Sequence, residues 1–154
     1  MTKISQDDVK KWIVKIEGKR NCEEPCGKKI GSQGPDLIIK DVRLKYYVET
    51  IAFSVRKNKR GNVVGTGKNQ SDFWKAFAQA VSRLNPDSKW GKADRIVVAL
   101  PMEYRNGWDA RTMIYGEDIW KRIGTIFPEL QIWFVSKKKI IELSWNDSYN
   151  WEVT

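Results

Sequence analysis

The sequence contains no histidine at all. This absence excludes His-based catalytic triads, imidazole general bases and zinc catalysis with histidine ligands. Any hydrolytic chemistry would therefore depend on carboxylates, lysines and a metal ion. Cysteine is scarce as well, with Cys22 and Cys26 alone, and two thiolates cannot complete a structural zinc site, which needs four ligands. These cysteines either form a local disulfide or remain thiols, and both states stay open.

The sequence also has no apolar run of about 18 residues, which excludes a membrane-spanning helix. Its first residues, MTKISQDDVKKW, contain no apolar signal segment, so we expect a cytoplasmic protein. A length of 154 residues with 41% apolar residues suits a single folded domain, residues 1–154, with a core of its own.

Basic residues exceed acidic ones by 28 to 19, a net charge of +9. Such an excess favours a polyanionic partner such as DNA, because each neutralised phosphate releases counterions. The alternative is a basic protein with no nucleic-acid role. The strongest basic block is predicted to be a mobile loop over residues 56–70, RKNKRGNVVGTGKNQ. Its candidate phosphate contacts are Arg56, Lys57, Lys59, Arg60 and Lys68, although a merely solvated loop fits equally well. The lysines of a second basic segment, Lys137, Lys138 and Lys139, are further candidates.

Apolar periodicity predicts the elements in order. We expect helices over residues 5–18, 71–84 and 109–127, the last interrupted by Gly116. Strands are expected over residues 37–42, 45–55, 95–100, 131–135 and 139–145, with the first two forming a hairpin and the last two pairing through the lysine turn. This order predicts an α/β protein whose helices cover a central mixed sheet.

Two carboxylates fall on the predicted hairpin. Asp36 follows the turn residues Gly34 and Pro35 at the start of one strand, and Glu49 lies within the apolar segment VETIAF of the next. Carboxylates on neighbouring strands can share Mg²⁺, which needs only one or two protein oxygens. The alternatives are that Asp36 caps its own turn and that Glu49 faces solvent. A buried carboxylate would be costly unless it were paired or bound to a metal.

This arrangement resembles the PD-(D/E)XK nuclease superfamily, which includes restriction endonucleases and Holliday junction resolvases. Pro35, Asp36 and Glu49 match its motif, and the similarity in element order runs over roughly residues 5–145. The resemblance implies a restriction-endonuclease-like fold and a metal-dependent DNA endonuclease, with Asp36 and Glu49 holding Mg²⁺ or Mn²⁺. Because family enzymes that cut both strands are commonly dimers, it also implies a homodimer.

The motif lysine is missing, because Ile51 stands where the family has it. In the family that lysine positions the attacking water and stabilises charge on the phosphate. Lys40, on the same strand face as Asp36, is one candidate replacement, and Lys57 or Lys68 from the basic block is another. Gln79 resembles a glutamine that the family often carries on the following helix, so it can also be a catalytic residue. Otherwise the site is inactive, and the fold binds nucleic acid or a protein partner without cutting.

Two further sets of residues have alternative interpretations. Asp7 or Asp8 resembles an acidic residue of the family's first helix, but helix N-terminal charge is the preferred explanation. Four of the eight tryptophans, Trp12, Trp74, Trp120 and Trp133, are assigned to the core or an interface. The exceptions are those expected in loops or near the end of the chain, which would contact bases or a second subunit if they were exposed: Trp90, Trp108, Trp145 and Trp151.

Overall fold

A computed structural model describes residues 3–24, 34–65, 67–87 and 91–151, with backbone alone at residues 56, 63–65, 67–68 and 110. Its α-helices are α1 (Gln6–Glu17), α2 (Gly67–Ser82), α3 (Trp108–Met113) and α4 (Glu117–Ile126). Short 3-10 turns cover Lys19–Asn21, Met102–Arg105 and Asn146–Ser148. Within these ranges, no helix has the length and apolar character needed to cross a bilayer.

The strands form one large sheet and two small ones. In chain order they are β1 (Lys3–Ile4), β2 (Cys22–Glu23), β3 (Leu37–Lys40), β4 (Lys45–Thr50), β5 (Phe53–Ser54), β6 (Arg56–Lys57), β7 (Val63–Gly65), β8 (Arg95–Pro101), β9 (Leu130–Val135) and β10 (Ile140–Ser144). The large sheet has the order β10-β9-β8-β4-β3-β2. Its central strands β4, β8 and β9 are parallel, and the outer pairs are antiparallel. The protein is therefore mixed α/β, with a six-stranded mixed sheet flanked by helices.

The predicted elements are largely confirmed. Helix α1 begins after Ser5, whose hydroxyl accepts from the Asp8 backbone while the Asp8 carboxylate accepts from the Ser5 backbone. Gly116, with φ 78°, separates α3 from α4, because this left-handed conformation suits glycine. Helix α2 begins four residues before the predicted start at Ser71.

Helices α1 and α2 cover opposite faces of the sheet. On β4, Tyr46 interacts electrostatically with Glu17 at the end of α1, whereas Glu49 pairs with Arg83 just beyond α2. Successive side chains of a strand alternate between faces, so residues 46 and 49 point to opposite sides. This places the Asp36 and Glu49 side chains on the α2 side.

Trp108 and Trp145 are core residues, so the condition under which they would contact bases or a second subunit is not met. They are 2% and 1% exposed, and both pack in an aromatic cluster with Phe73 and Trp120. Trp120 and Trp145 stack with ring centroids 4.3 Å apart. Trp151 is partly buried against Phe134, and Trp90 lies outside the described residues.

The basic block is not the loop that the sequence predicts. Strands β6 and β7 form a small antiparallel hairpin, and α2 already starts at Gly67. Asn58 closes the hairpin turn, because its side-chain oxygen accepts from the backbone of Arg60 and Asn62. Gly61, at φ 81°, completes the turn.

Candidate active site

Asp36 lies immediately before β3 and binds across to the neighbouring strand. Its Oδ2 accepts from the Thr50 backbone N–H at 2.9 Å and from the Thr50 hydroxyl at 3.2 Å. The carboxylate therefore contacts β4 rather than only its own turn. Leu37 pairs with Val48, so the same register brings Asp36 opposite Glu49.

Glu49 is buried near the end of the central strand β4, with 2% of the residue exposed. The alternative of a solvent-facing carboxylate is therefore wrong. Burial, followed by the negative charge and hydrogen bond of Asp36, raises the pKa of Glu49 to about 8 against the opposing influence of Arg83. The two carboxyl groups thus lie within hydrogen-bonding reach of each other.

Arg83 supplies the positive charge at this pair. Its Nε lies 3.0 Å from Glu49 Oε1, and its Nη2 donates to the Gly34 carbonyl oxygen at 2.7 Å. The Arg83 side chain is 18% exposed, so the ion pair is largely shielded from water. One guanidinium therefore connects the turn before Asp36 to the carboxylate of Glu49.

The structure does not bring Lys40 to the carboxylates. It lies four residues beyond Asp36, about 13 Å along the strand. Its Nζ is 2.9 Å from Glu23 Oε1, at an exposed position on the neighbouring strand β2. Lys40 therefore forms a surface ion pair at the far end of β3.

Gln79 lies on the exposed side of α2, four residues before Arg83. Residues with this spacing lie on the same helical face. Ile51, in the position of the missing lysine, is 2% exposed and packs in the core.

Arg83 is the functional candidate that sequence reasoning missed. Its position in the sequence could have indicated it, because Arg83 follows Gln79 by one helical turn. The resemblance to the nuclease family had already named Gln79 as a candidate catalytic residue. Local periodicity gave no reason to connect Arg83 with Glu49, which lies 34 residues earlier.

The predicted phosphate contacts are only partly described. Lys57, Lys59 and Arg60 are exposed on the β6–β7 hairpin, while the side chains of Arg56 and Lys68 lie outside the described part. The exposed turn between β9 and β10 carries the second lysine set, Lys137, Lys138 and Lys139.

Asp7 and Asp8 have the structural roles that were preferred for them. Asp8 belongs to the α1 capping box, and backbone and side-chain hydrogen bonds from Ser5 lower its pKa. Asp7 Oδ1 lies 3.5 Å from Lys10 Nζ, in an ion pair within the first turns of α1. Cys22 is partly buried, and burial raises the pKa of its thiol to about 11, which makes it a poor nucleophile at neutral pH. Cys26 lies outside the described residues.

The chain was compared with protein-family models, curated proteins and solved structures. No match was found. The resemblance to the PD-(D/E)XK nucleases therefore depends on the motif and the order of elements in this chain alone.

The site fits a cation that takes few protein ligands. Across the described ranges, no three acidic or cysteine side chains converge as a complete metal site. Thr50 and Arg83 each engage one oxygen, of Asp36 and of Glu49 respectively, and the two carboxyl groups also hydrogen-bond to each other. A cation at this pair would replace the proton that the two groups share. Mg²⁺ usually binds through one or two carboxylates, with water and substrate phosphates completing its coordination.

Proposed function

We propose that this protein is a metal-dependent DNA endonuclease of restriction-endonuclease-like fold. In this proposal Asp36 and Glu49 hold Mg²⁺ or Mn²⁺, and Arg83 replaces the missing lysine. The observation that carries the proposal is the contact between the partly buried carboxyl group of Asp36 and the buried one of Glu49, whose pKa is raised to about 8. Perturbed carboxylates of this kind are concentrated at functional sites.

The charge balance at the pair supports a cation there. When Glu49 is deprotonated, above its pKa of about 8, two carboxylates beside one guanidinium leave a net negative charge in a largely shielded position. A divalent cation would offset the repulsion between Asp36 and Glu49 and would lower the pKa of Glu49. The chemistry that a bound ion supplies here is activation of water and stabilisation of charge on the phosphate.

Arg83 is suited to one of the two functions of the missing lysine, the stabilisation of charge on the phosphate. The planar shape of an arginine guanidinium suits phosphate oxygens. It would stabilise developing negative charge on the scissile phosphate. It would not accept a proton from water, so Glu49 is the group placed to take that proton when ionised. The exposed cations Lys57, Lys59 and Arg60 would contact the DNA backbone.

A second candidate function is a non-catalytic domain that binds nucleic acid or a protein partner. The observation that favours it is the Arg83–Glu49 ion pair, which neutralises the motif glutamate from within the chain. With Ile51 packed in the core, the fold would then keep the two carboxylates for structure. The cytoplasmic location and the homodimer stay predictions in both cases.

The test is cleavage of supercoiled, linear and branched DNA with Mg²⁺, with Mn²⁺ and with EDTA. The informative variants are Asp36→Asn, Glu49→Gln and Arg83→Ala. Asp118→Asn is the control, because it removes a carboxylate from an exposed ion pair on α4. We expect metal-dependent cutting that the three site variants lose and the control retains.

Absence of cutting by the wild-type protein, together with DNA binding that survives Asp36→Asn and Glu49→Gln, would instead establish the non-catalytic function. Folding of each variant is checked by circular dichroism, so that loss of cutting is not confused with loss of structure.

A further inference from the structure

The exposed side of α1 carries lysines at a regular interval. Lys11, Lys15 and Lys19 are four residues apart, the last in the 3-10 turn that follows the helix. Within α1 the helical rise separates Lys11 from Lys15 by about 6 Å along the axis and keeps them on one face. Lys19 lies beyond the end of the helix and lines the same groove as Lys11 and Lys15. We call these residues the lysine strip.

The lysine strip lines a groove of about 420 Å³. Val14, Gly18 and Glu24 complete its wall. Glu24 Oε1 lies 3.9 Å from Lys10 Nζ, and the positive charge of Lys10 offsets part of the negative charge of Glu24. Within the described ranges, none of the three strip lysines forms an ion pair, so their charges are available to a ligand in the groove.

The positive surface continues beyond the groove. The charges of Lys11 and Lys137 both act on Asp8 at the start of α1, in addition to the hydrogen bonds from Ser5. The β9–β10 turn therefore lies near the N-terminal end of the helix. This turn carries the exposed residues Lys137, Lys138 and Lys139, which add positive charge at that end of the helix.

The lysine strip lies on the opposite side of the sheet from the carboxylate pair. Helix α1 covers the face of Tyr46, whereas Asp36 and Glu49 lie toward α2. The strip therefore lies apart from the candidate active site.

We propose that the lysine strip is a second nucleic-acid-binding surface, which contacts the sugar-phosphate backbone without reading sequence. A concave groove lined by three exposed lysines suits a narrow, repeating polyanion. A membrane surface fits less well, because a membrane-binding helix turns its apolar face outward. In α1 that face, with Val9 and Ile13 both 0% exposed, packs on the protein core. The inference depends on the proposed function only for its choice of nucleic acid as the polyanion.

The test is DNA binding in EDTA, so that it does not depend on cleavage. Fluorescence anisotropy measures the affinity of the full chain for a labelled oligonucleotide, single-stranded and duplex, over a range of salt concentrations. The strip variant is Lys11→Ala, Lys15→Ala and Lys19→Ala combined. The control removes three exposed cations from elsewhere: Arg105→Ala, Lys121→Ala and Arg122→Ala.

We expect the strip variant to bind more weakly, with a slope of log affinity against log salt reduced by about 2–3, since each lost contact contributes about 0.7–0.9. The control should keep the wild-type slope. Equal losses in both variants, or no loss in the strip variant, would overturn the proposal. It would also be overturned if the strip variant lost only binding to phosphatidylserine-containing vesicles. Strip-dependent DNA binding by a protein that never cuts DNA would support the strip and reject only the nuclease function.

Discussion

Arg83 Nε lies 3.0 Å from Glu49 Oε1, and this ion pair joins the end of α2 to the central strand β4. The glutamate is almost fully buried, while the arginine keeps one edge at the surface. A buried charge pair adds little net stability compared with apolar residues, but removal of one partner is costly because the other charge remains buried. The pair is therefore a sensitive point for both stability and chemistry.

Arg83→Ala should destabilise the protein, and more so at high pH. At pH 9 Glu49 is ionised and would lose its cation, so we expect a loss of about 3 kcal/mol in the free energy of unfolding. At pH 6 Glu49 is protonated and uncharged, so the loss in free energy of unfolding on removal of Arg83 should be smaller. Urea unfolding at both pH values measures the difference. Arg122→Ala, which breaks an exposed ion pair with Asp118, is the control and should change little at either pH. A loss for Arg83→Ala that did not depend on pH would argue against a charge effect.

Stability of the wild-type protein should fall as pH rises toward 8. The pKa of Glu49 is raised from 4.5 to about 8 in the folded state, so between these values the folded protein binds more protons than the unfolded chain. The contribution of Glu49 is therefore fully present below pH 4.5 and is lost as pH rises through 8, by at most about 1.4 kcal/mol per pH unit.

Glu49→Gln removes this titration and should flatten the profile. Burial and neighbouring carboxylates also raise the pKa values of Glu17 and Glu142, but those groups titrate in both proteins. The difference between the wild-type and variant curves between pH 5 and pH 9 therefore isolates Glu49. Parallel curves would mean that Glu49 titrates normally.

Sequence reasoning predicted the elements better than the contacts between them. Helix α1, the hairpin on either side of residue 42 and the buried strand β8 follow from local periodicity and turn residues, and each is confirmed. The opposition of Asp36 and Glu49 followed from the same hairpin. These features depend on residues that are close in sequence.

Long-range contacts were not predictable in this way. Arg83 reaches Glu49 because α2 ends over β4, and no local pattern reports where a helix ends in space. Trp145 is buried because the turn after β10 packs against α4. The indole N–H of Trp145 donates to the backbone carbonyl oxygen of Trp120 on that helix at 2.8 Å. The sequence alone left the exposure of Trp145 open, and tertiary packing decides it.

Binding of Mn²⁺ at the carboxylate pair should strengthen with pH. A metal ion needs ionised carboxylates, so at pH 6 it competes with the proton on Glu49, and above pH 8 it does not. We expect Mn²⁺ to raise the melting temperature clearly at pH 9 and much less at pH 6. Asp36→Asn should abolish the effect. Glu142→Gln is the matched control, because it removes another carboxylate of raised pKa at the sheet edge. A metal response that survived Asp36→Asn would place the ion elsewhere.

Gly124 in α4 lies directly against Asn146. This contact predicts whether Gly124→Ala raises or lowers the free energy of unfolding. Ala in place of Gly normally stabilises a helix by about 1 kcal/mol. Here the added Cβ would overlap Asn146 Oδ1 and approach Trp145 Cδ1 to 3.1 Å. Such overpacking costs about 1–3 kcal/mol, so we expect Gly124→Ala to lower the free energy of unfolding.

A double-mutant cycle with Asn146→Ala tests that explanation. Asn146 Oδ1 is buried and accepts no hydrogen bond within the described part of the chain, so its removal should cost little by itself. The Gly124→Ala, Asn146→Ala protein should then recover most of the lost stability, with a coupling energy of about 1 kcal/mol or more in urea unfolding. Additive effects of the two substitutions would show that Asn146 does not restrict Gly124, and that the cost arises at Trp145 instead.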